Sequence, residues 1–223
     1  MRKSFLEKMN EITEDVIAMG SMAQEAVYNS IKAFIEMNTE LAQTVIDKDE
    51  RINESDISIE EKCIILQAEH QPVAVDLRYI HSISIIIKCL ERIGDLAVNI
   101  SKIVKRLAKE KKKYLDKEIL DLLVEMGNLV KPELGRALES FKNKDLKSAS
   151  KLGKSDDLVD EIQKMIFRKL FTSREASEEN IKFITNIVLA SRYLERIGDQ
   201  SVNIGQRVLY FLSGDYKVFH DNV

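Results

Sequence analysis

Proline and glycine are scarce in this sequence, 2 and 8 among 223 residues, and that scarcity excludes the turn-rich β-sandwiches and barrels that need them at every bend. Cysteine is scarcer still. Cys63 and Cys89 form no C-x-x-C pair and are too few for a disulfide scaffold, so they read as reduced core thiols of a cytoplasmic protein. No stretch approaches the ~18 uninterrupted apolar residues of a membrane span. The start, Met1-Arg2-Lys3-Ser4-Phe5, has no apolar core followed by a small-residue cleavage site. No membrane insertion and a cytoplasmic location are expected. An excess of positive charge is also missing: 34 basic residues meet 37 acidic ones, a net charge of -3, which argues against nucleic acid as a partner.

What is abundant is Lys, Glu, Leu, Ile and Ala, the composition of long helices. Ile83, Ile86, Leu90, Ile93, Ala97, Ile100, Val104 and Leu107 alternate steps of three and four, the rhythm of a packed helix. A helix over about 73–109 would be roughly 55 Å long, which suits an elongated bundle. Similar seams predict helices over 5–38, 41–70, 114–141, 146–171 and 178–212, so the fold class is all-α with six long helices. Asn38-Thr39 and Asn143-Lys144-Asp145 read as turns, and Gln71-Pro72 as a helix start with proline in its first turn. Pro132 falls inside the fourth segment and predicts a kink there or a later start.

An internal repeat organises the rest. Glu91-Arg92-Ile93-Gly94-Asp95-Leu96-Ala97-Val98-Asn99-Ile100 returns as Glu195-Arg196-Ile197-Gly198-Asp199-Gln200-Ser201-Val202-Asn203-Ile204, with 8 of 10 positions identical at an offset of 104. A weaker echo at an offset of 107 relates Phe34, Ala42, Asp49, Asn53 and Glu54 to Phe141, Ala149, Asp156, Asp160 and Glu161. The chain is therefore read as two tandem, duplicated three-helix bundles, 1–110 and 114–223, divided near Lys111-Lys112-Lys113.

The repeated polar residues fall off the apolar seam. With Leu90 at a heptad a position, Glu91, Asp95 and Asn99 occupy b, f and c, and residues four apart on a helix are neighbours. Two carboxylates side by side, with a glycine between them that bares the backbone, are locally unfavourable: mid-helix glycine alone costs about 0.5 to 1 kcal/mol relative to alanine. The preceding helix of each unit offers a second stripe, Asp49 with Asn53 and Asp156 with Asp160. Facing stripes would make an oxygen-rich cluster suited to Mg²⁺, Mn²⁺, Ca²⁺ or oxidised iron. The candidate metal ligands are Asp49, Asn53, Glu91 and Asp95 in one unit and Asp156, Asp160, Glu195 and Asp199 in the other.

A plainer reading makes Glu91, Arg92 and Asp95 a solvated salt-bridge ladder, with Gly94 serving only close packing. Repetition weighs against it, because salt-bridge faces exchange freely among charged residues and the flanking surfaces have diverged. His70, His81 and His220 lack ligand spacing. The basic run Lys105, Arg106, Lys109, Lys111 to Lys113 suits a helix C-terminus, and Met9, Met19, Met22 and Met37 read as core.

The stretch Gln71-Pro72-Val73-Ala74-Val75-Asp76-Leu77-Arg78-Tyr79-Ile80, with Leu90-Glu91-Arg92-Ile93-Gly94-Asp95 and its partner Leu194-Glu195-Arg196-Ile197-Gly198-Asp199, resembles the PhoU family over essentially the whole chain. The resemblance implies a homodimeric cytoplasmic regulator, not an enzyme. Such a protein links a phosphate ABC transporter ATPase to a sensor histidine kinase, represses phosphate uptake and the starvation response, and takes inorganic phosphate as a further candidate partner. It also implies multinuclear metal clusters, iron first, on the paired acidic motifs. Asn53 departs from the acid at Asp160, which lowers the charge of the first site, and the second copy lacks the Gln71-Pro72 start. A metal-free helical adaptor is the alternative. A di-metal carboxylate oxidoreductase fits less well, because its Glu-x-x-His motifs are absent.

Overall fold

The structure, a computed structural model, describes residues 2–109, 117–152, 156–172 and 178–215, the side chains of 2, 156, 157, 172 and 178–180 excepted. The described residues are helical and include no strand. The helices are α1 (Arg2–Glu36), α2 (Thr39–Lys48), α3 (Glu50–His70), α4 (Ala74–Leu107), α5 (Lys117–Asn143), α6 (Leu146–Ala149), α7 (Asp156–Thr172) and α8 (Glu178–Ser213). All six expected segments are present, and two of them are interrupted. The chain forms two tandem three-helix units, α1 with α2/α3 and α4, then α5 with α6/α7 and α8. The division placed between 110 and 114 falls outside the described residues, as does the connection into α8.

Local chemistry explains the boundaries. Met37 takes a left-handed φ of 50°, and the Asn38 side chain accepts hydrogen bonds from the Glu40 and Leu41 amides at 3.1 and 2.9 Å, capping α2. Lys144 repeats this with φ 51°, and Asp145 caps α6 through the Lys147 and Ser148 amides. Gln71 closes α3 in the left-handed region with φ 47°. Pro72 precedes α4 by two residues rather than lying in its first turn, because Val73 stays extended with ψ 168° as the helix N-cap.

Two expectations are corrected. The segment 41–70 is interrupted at Asp49, which keeps helical angles (φ -62°, ψ -33°) while both Ile52 and Asn53 donate their amides to its carbonyl, so the axis jogs without a glycine or proline to announce it. The later start considered at Pro132 is also not seen, since α5 begins at Lys117 and includes that proline. Proline deprives the carbonyl four residues earlier of its partner, and Asn128 and Pro132 are both exposed, on the solvent side of the helix.

The core is continuous through both units. Helix α4 packs against α1, α2, α3 and α8, which explains why it buries more than the eight seam residues: Ile80, Ile87, Leu96, Val98 and Ile103 are buried as well. Each fully buried side chain of this kind contributes roughly 1.5 to 3 kcal/mol. Helix α1 meets α5 closely where Gly20 lies under Leu138; a Cβ there would stand 2.5 Å from Leu138 Cδ2. At one end Tyr79 of α4 stacks on Phe141 of α5 with centroids 5.9 Å apart, meets the edge of Phe211 of α8 at 4.8 Å, and shares a 2.9 Å hydrogen bond with Thr13 of α1. Met9 and Met19 are buried, and Met22 and Met37 pack against the core. Cys63 and Cys89 are free and buried, with thiols pushed up to about 11 by burial. No helix among the described residues is long and apolar enough to cross a membrane.

Candidate functional site

The first acidic groove runs between α3 and α4. Asp49, at the jog between α2 and α3, lies over Gly94 of α4: a Cβ on Gly94 would stand 2.9 Å from Asp49 Oδ1 and 3.0 Å from Ile52 Cδ1. Gly94 is buried. It is therefore not a bare stretch of surface backbone, as its place between two outward carboxylates suggests, but the seat on which the opposite carboxylate rests. Asp49 Oδ1 is itself buried and has no hydrogen-bond partner. Burial pushes the Asp49 carboxyl up, the neighbouring Asp95 adds to this, and the Asn53 amide opposes it. Burial also raises Glu91, with Asp95 and then Asp56 adding to it. Glu91 and Asn99 are half-buried and Asp95 is exposed, so this stripe lies off the core as its heptad positions predict.

A second acidic cluster lies between α7 and α8. Asp199 is pushed up to about 6, by burial first and then by Glu195 and Asp160. These three residues thus come together across two helices, while the side chain of Asp156 lies outside the described residues. The salt-bridge ladder does not form in the first unit: among the described residues Arg92 makes no ion pair with Asp95. The histidines are structural or exposed where described. His70 meets the edge of Phe5 at 5.6 Å and His81 is exposed; His220 lies outside the described residues.

Sequence reasoning missed three residues that extend the first groove. Asp56, only 7% exposed, accepts a 2.6 Å hydrogen bond from Lys88 Nζ at its Oδ2, and Glu60 accepts a second at 3.0 Å. The signal was available in the stripe, since 49, 53, 56 and 60 recur on one face of a helix. It was passed over because the repeat does not keep it: the counterparts of Asp56, Glu60 and Lys88 are Gln163, Phe167 and Arg192.

Two features of the grooves fit a hard cation. The donors are all oxygens, and Asp49 Oδ1 is buried without a partner. One feature does not: among the described residues no group of three or more His, Cys, Asp or Glu could hold a metal ion.

The family model for the PhoU domain matches residues 16–104 and again 123–208. The chain belongs to the PhoU family. It is 36% identical over 221 residues to a phosphate-specific transport system accessory protein PhoU homolog of Clostridium acetobutylicum, covering 99% of each chain. It is 31% identical to PhoU of Escherichia coli, over 94% of this chain and 86% of that one. The crystal structure of PhoU from Pseudomonas aeruginosa superimposes with a TM-score of 0.88 at 32% identity, over 95% of this chain and all of that one. The phosphate transport system regulatory protein PhoU from Streptococcus pneumoniae gives 0.85 at 25% identity, over 95% and 98%.

Proposed function

We propose that this PhoU-family chain is an accessory regulator of phosphate transport in the cytoplasm, not an enzyme. In this reading it restrains a phosphate ABC transporter through the transporter ATPase and carries the phosphate signal to a sensor histidine kinase, acting as a homodimer. The observation that carries the reading is the duplicated acidic groove, in which Asp49 lies on Gly94 while Asp49 and Glu91 are raised by burial first and then by the charge of Asp95. Carboxylates held this way repel one another and gain from any cation that joins them. Bound metal, iron or another oxygen-seeking cation, would turn each groove from an anionic surface into a docking point for oxygen ligands of a partner or of phosphate. In the first unit Asp49, Glu91 and Asp95 are the donors, with Asn53 beside them; in the second they are Asp156, Asp160, Glu195 and Asp199. Full-length carriage in relatives named for phosphate transport supports the regulatory part.

The test is a pull-down of the transporter ATPase and the sensor kinase on this chain at high and low phosphate, with the metal content of the bait measured in parallel. Phosphate-dependent capture of both partners is expected, and capture of neither would overturn the reading. A metal-free helical adaptor is the second reading, favoured by the absence of three converging donors among the described residues; full capture by chelator-stripped bait would select it.

A further inference from the structure

Helix α3 is apolar on two opposite faces, and the fold uses one of them. Ile52, Ile59, Cys63 and Leu66 point into the core. Ile57, Ile64 and Ile65 stand about half a turn away and are 66%, 61% and 46% exposed. With Glu61 and Ala68, both exposed, they form a ridge. Positions 57, 61, 64 and 68 alternate steps of four and three, the spacing with which one helix seats another. Three large aliphatic side chains on one outward helix face mark an interaction surface, which singly scattered ones do not. The ridge is flanked by one sign of charge. Glu50, Glu54 and Glu61 lie on this face, are exposed and form no ion pair among the described residues. The lysine and arginine of α3 are turned aside toward α1: Lys62 is held there by Glu11 and Asp15 at 2.8 Å, and Arg51 lines the cleft between the two helices with Asp15 and Met22.

We propose that the outer face of α3 is a docking surface for an amphipathic basic helix of another protein, whose apolar seam lies along Ile57, Ile64 and Ile65 and whose lysines or arginines meet Glu54 and Glu61. Charge selects this occupant. A second copy laid on the same face about a twofold axis would set carboxylate against carboxylate with no cation between them. The repeat does not carry the surface either: the counterparts of Ile57, Glu61 and Ile65 at the offset of 107 are Lys164, Arg168 and Thr172. The outward face of α7 therefore has the opposite charge at its centre, and the docking surface belongs to the first unit alone. Such docking lies beyond the regulatory reading above and does not require the acidic grooves to hold a cation.

The probe is a synthetic peptide of about three heptads with leucine at a and d and lysine at e and g, whose lysines keep it from pairing with itself. It is titrated by fluorescence anisotropy against the full chain, and saturable one-to-one binding is expected. Ile57→Ser with Ile64→Ser should weaken binding about tenfold at an unchanged melting temperature, since both side chains are exposed. Glu61→Lys should weaken it as well and confer binding of a peptide with glutamate at e and g, an exchange that diffuse attraction of a basic peptide to an acidic chain would not produce. Lys164→Ser on α7 should leave the affinity unchanged. Carboxyl labelling of the unaltered chain is the second readout and needs no substitution. Glu61 should label several-fold more slowly at saturating peptide, while Glu40, exposed on α2, keeps its rate. Absence of binding, binding indifferent to the paired serines, or unchanged Glu61 labelling overturns the proposal. A dimer of the unaltered chain in sedimentation that the paired serines dissolve also overturns it, because the face would then belong to a second copy. Should the paired serines fail to fold, labelling decides.

Discussion

Asp49 rests its carboxylate on Gly94, 2.9 Å from the point where a side chain would begin. Gly94→Ala therefore separates fold from function. Alanine in mid-helix gains about 0.5 to 1 kcal/mol over glycine, which offsets the displacement of Asp49 and the terminal methyl of Ile52. Unfolding free energy by denaturant is expected to change by less than about 1 kcal/mol in either direction. Mn²⁺ affinity of the first groove should fall, because Asp49 is pushed off its seat. A large loss of stability with unchanged cation binding would show that the glycine serves packing alone.

The raised carboxyls set a pH dependence. Asp199 holds its proton more tightly in the folded chain, at about 6 against an ordinary 3.8, so its contribution to stability is fully present below 3.8 and is lost as pH rises through 6. Asp49 and Glu91, also raised, act in the same direction. Asp199→Asn is expected to melt higher than the unaltered chain above about pH 6 and to show a flatter dependence below it. Saturating Mn²⁺ should flatten the unaltered chain in the same way. A steeper slope in Asp199→Asn would reverse the assignment.

Metal should matter for recognition rather than for folding, since the continuous core is built from apolar side chains and not from the groove carboxylates. Chelator-stripped protein is expected to keep its helical circular dichroism and to lose affinity for the transporter ATPase, the sensor kinase or phosphate. Because the grooves lie on different units, Glu195→Ala with Asp199→Ala should remove about half of the saturating metal. Complete loss would mean the two grooves bind as one.

Tyr79 joins helices from both units, touching Phe141, Phe211 and Thr13. Tyr79→Ala is expected to cost roughly 3 to 5 kcal/mol and Tyr79→Phe about 1 kcal/mol, the hydrogen bond to Thr13 alone. Calorimetry should show one transition in the unaltered chain and a broadened or split one in Tyr79→Ala. A single sharp transition in both would mean the units are coupled elsewhere.

The long helices were legible because an apolar period of 3.5 to 3.6 survives in Ile83 to Leu107 whatever packs on it. The break at Asp49 was not, since its backbone stays helical and no glycine or proline marks it. Glu91, Asp95, Glu195 and Asp199 stood out because the repeat kept them. Asp56 and Glu60 lay on the same stripe but were not kept by the repeat, and their pairing with Lys88 depends on the relative rotation of two helices, which no single helix's pattern contains. Gly94 was noticed as a cost, but its occupant came from another helix.

Helices α4 and α8, which carry the two motifs, pack directly against each other. Under the proposed function the grooves are two stations on one packed pair of helices. A partner with two matching contacts, once engaged at one, meets the other as an intramolecular event at millimolar effective concentration. Weak individual contacts then suffice for firm attachment. Emptying either station alone releases the partner far more sharply than its own affinity would suggest.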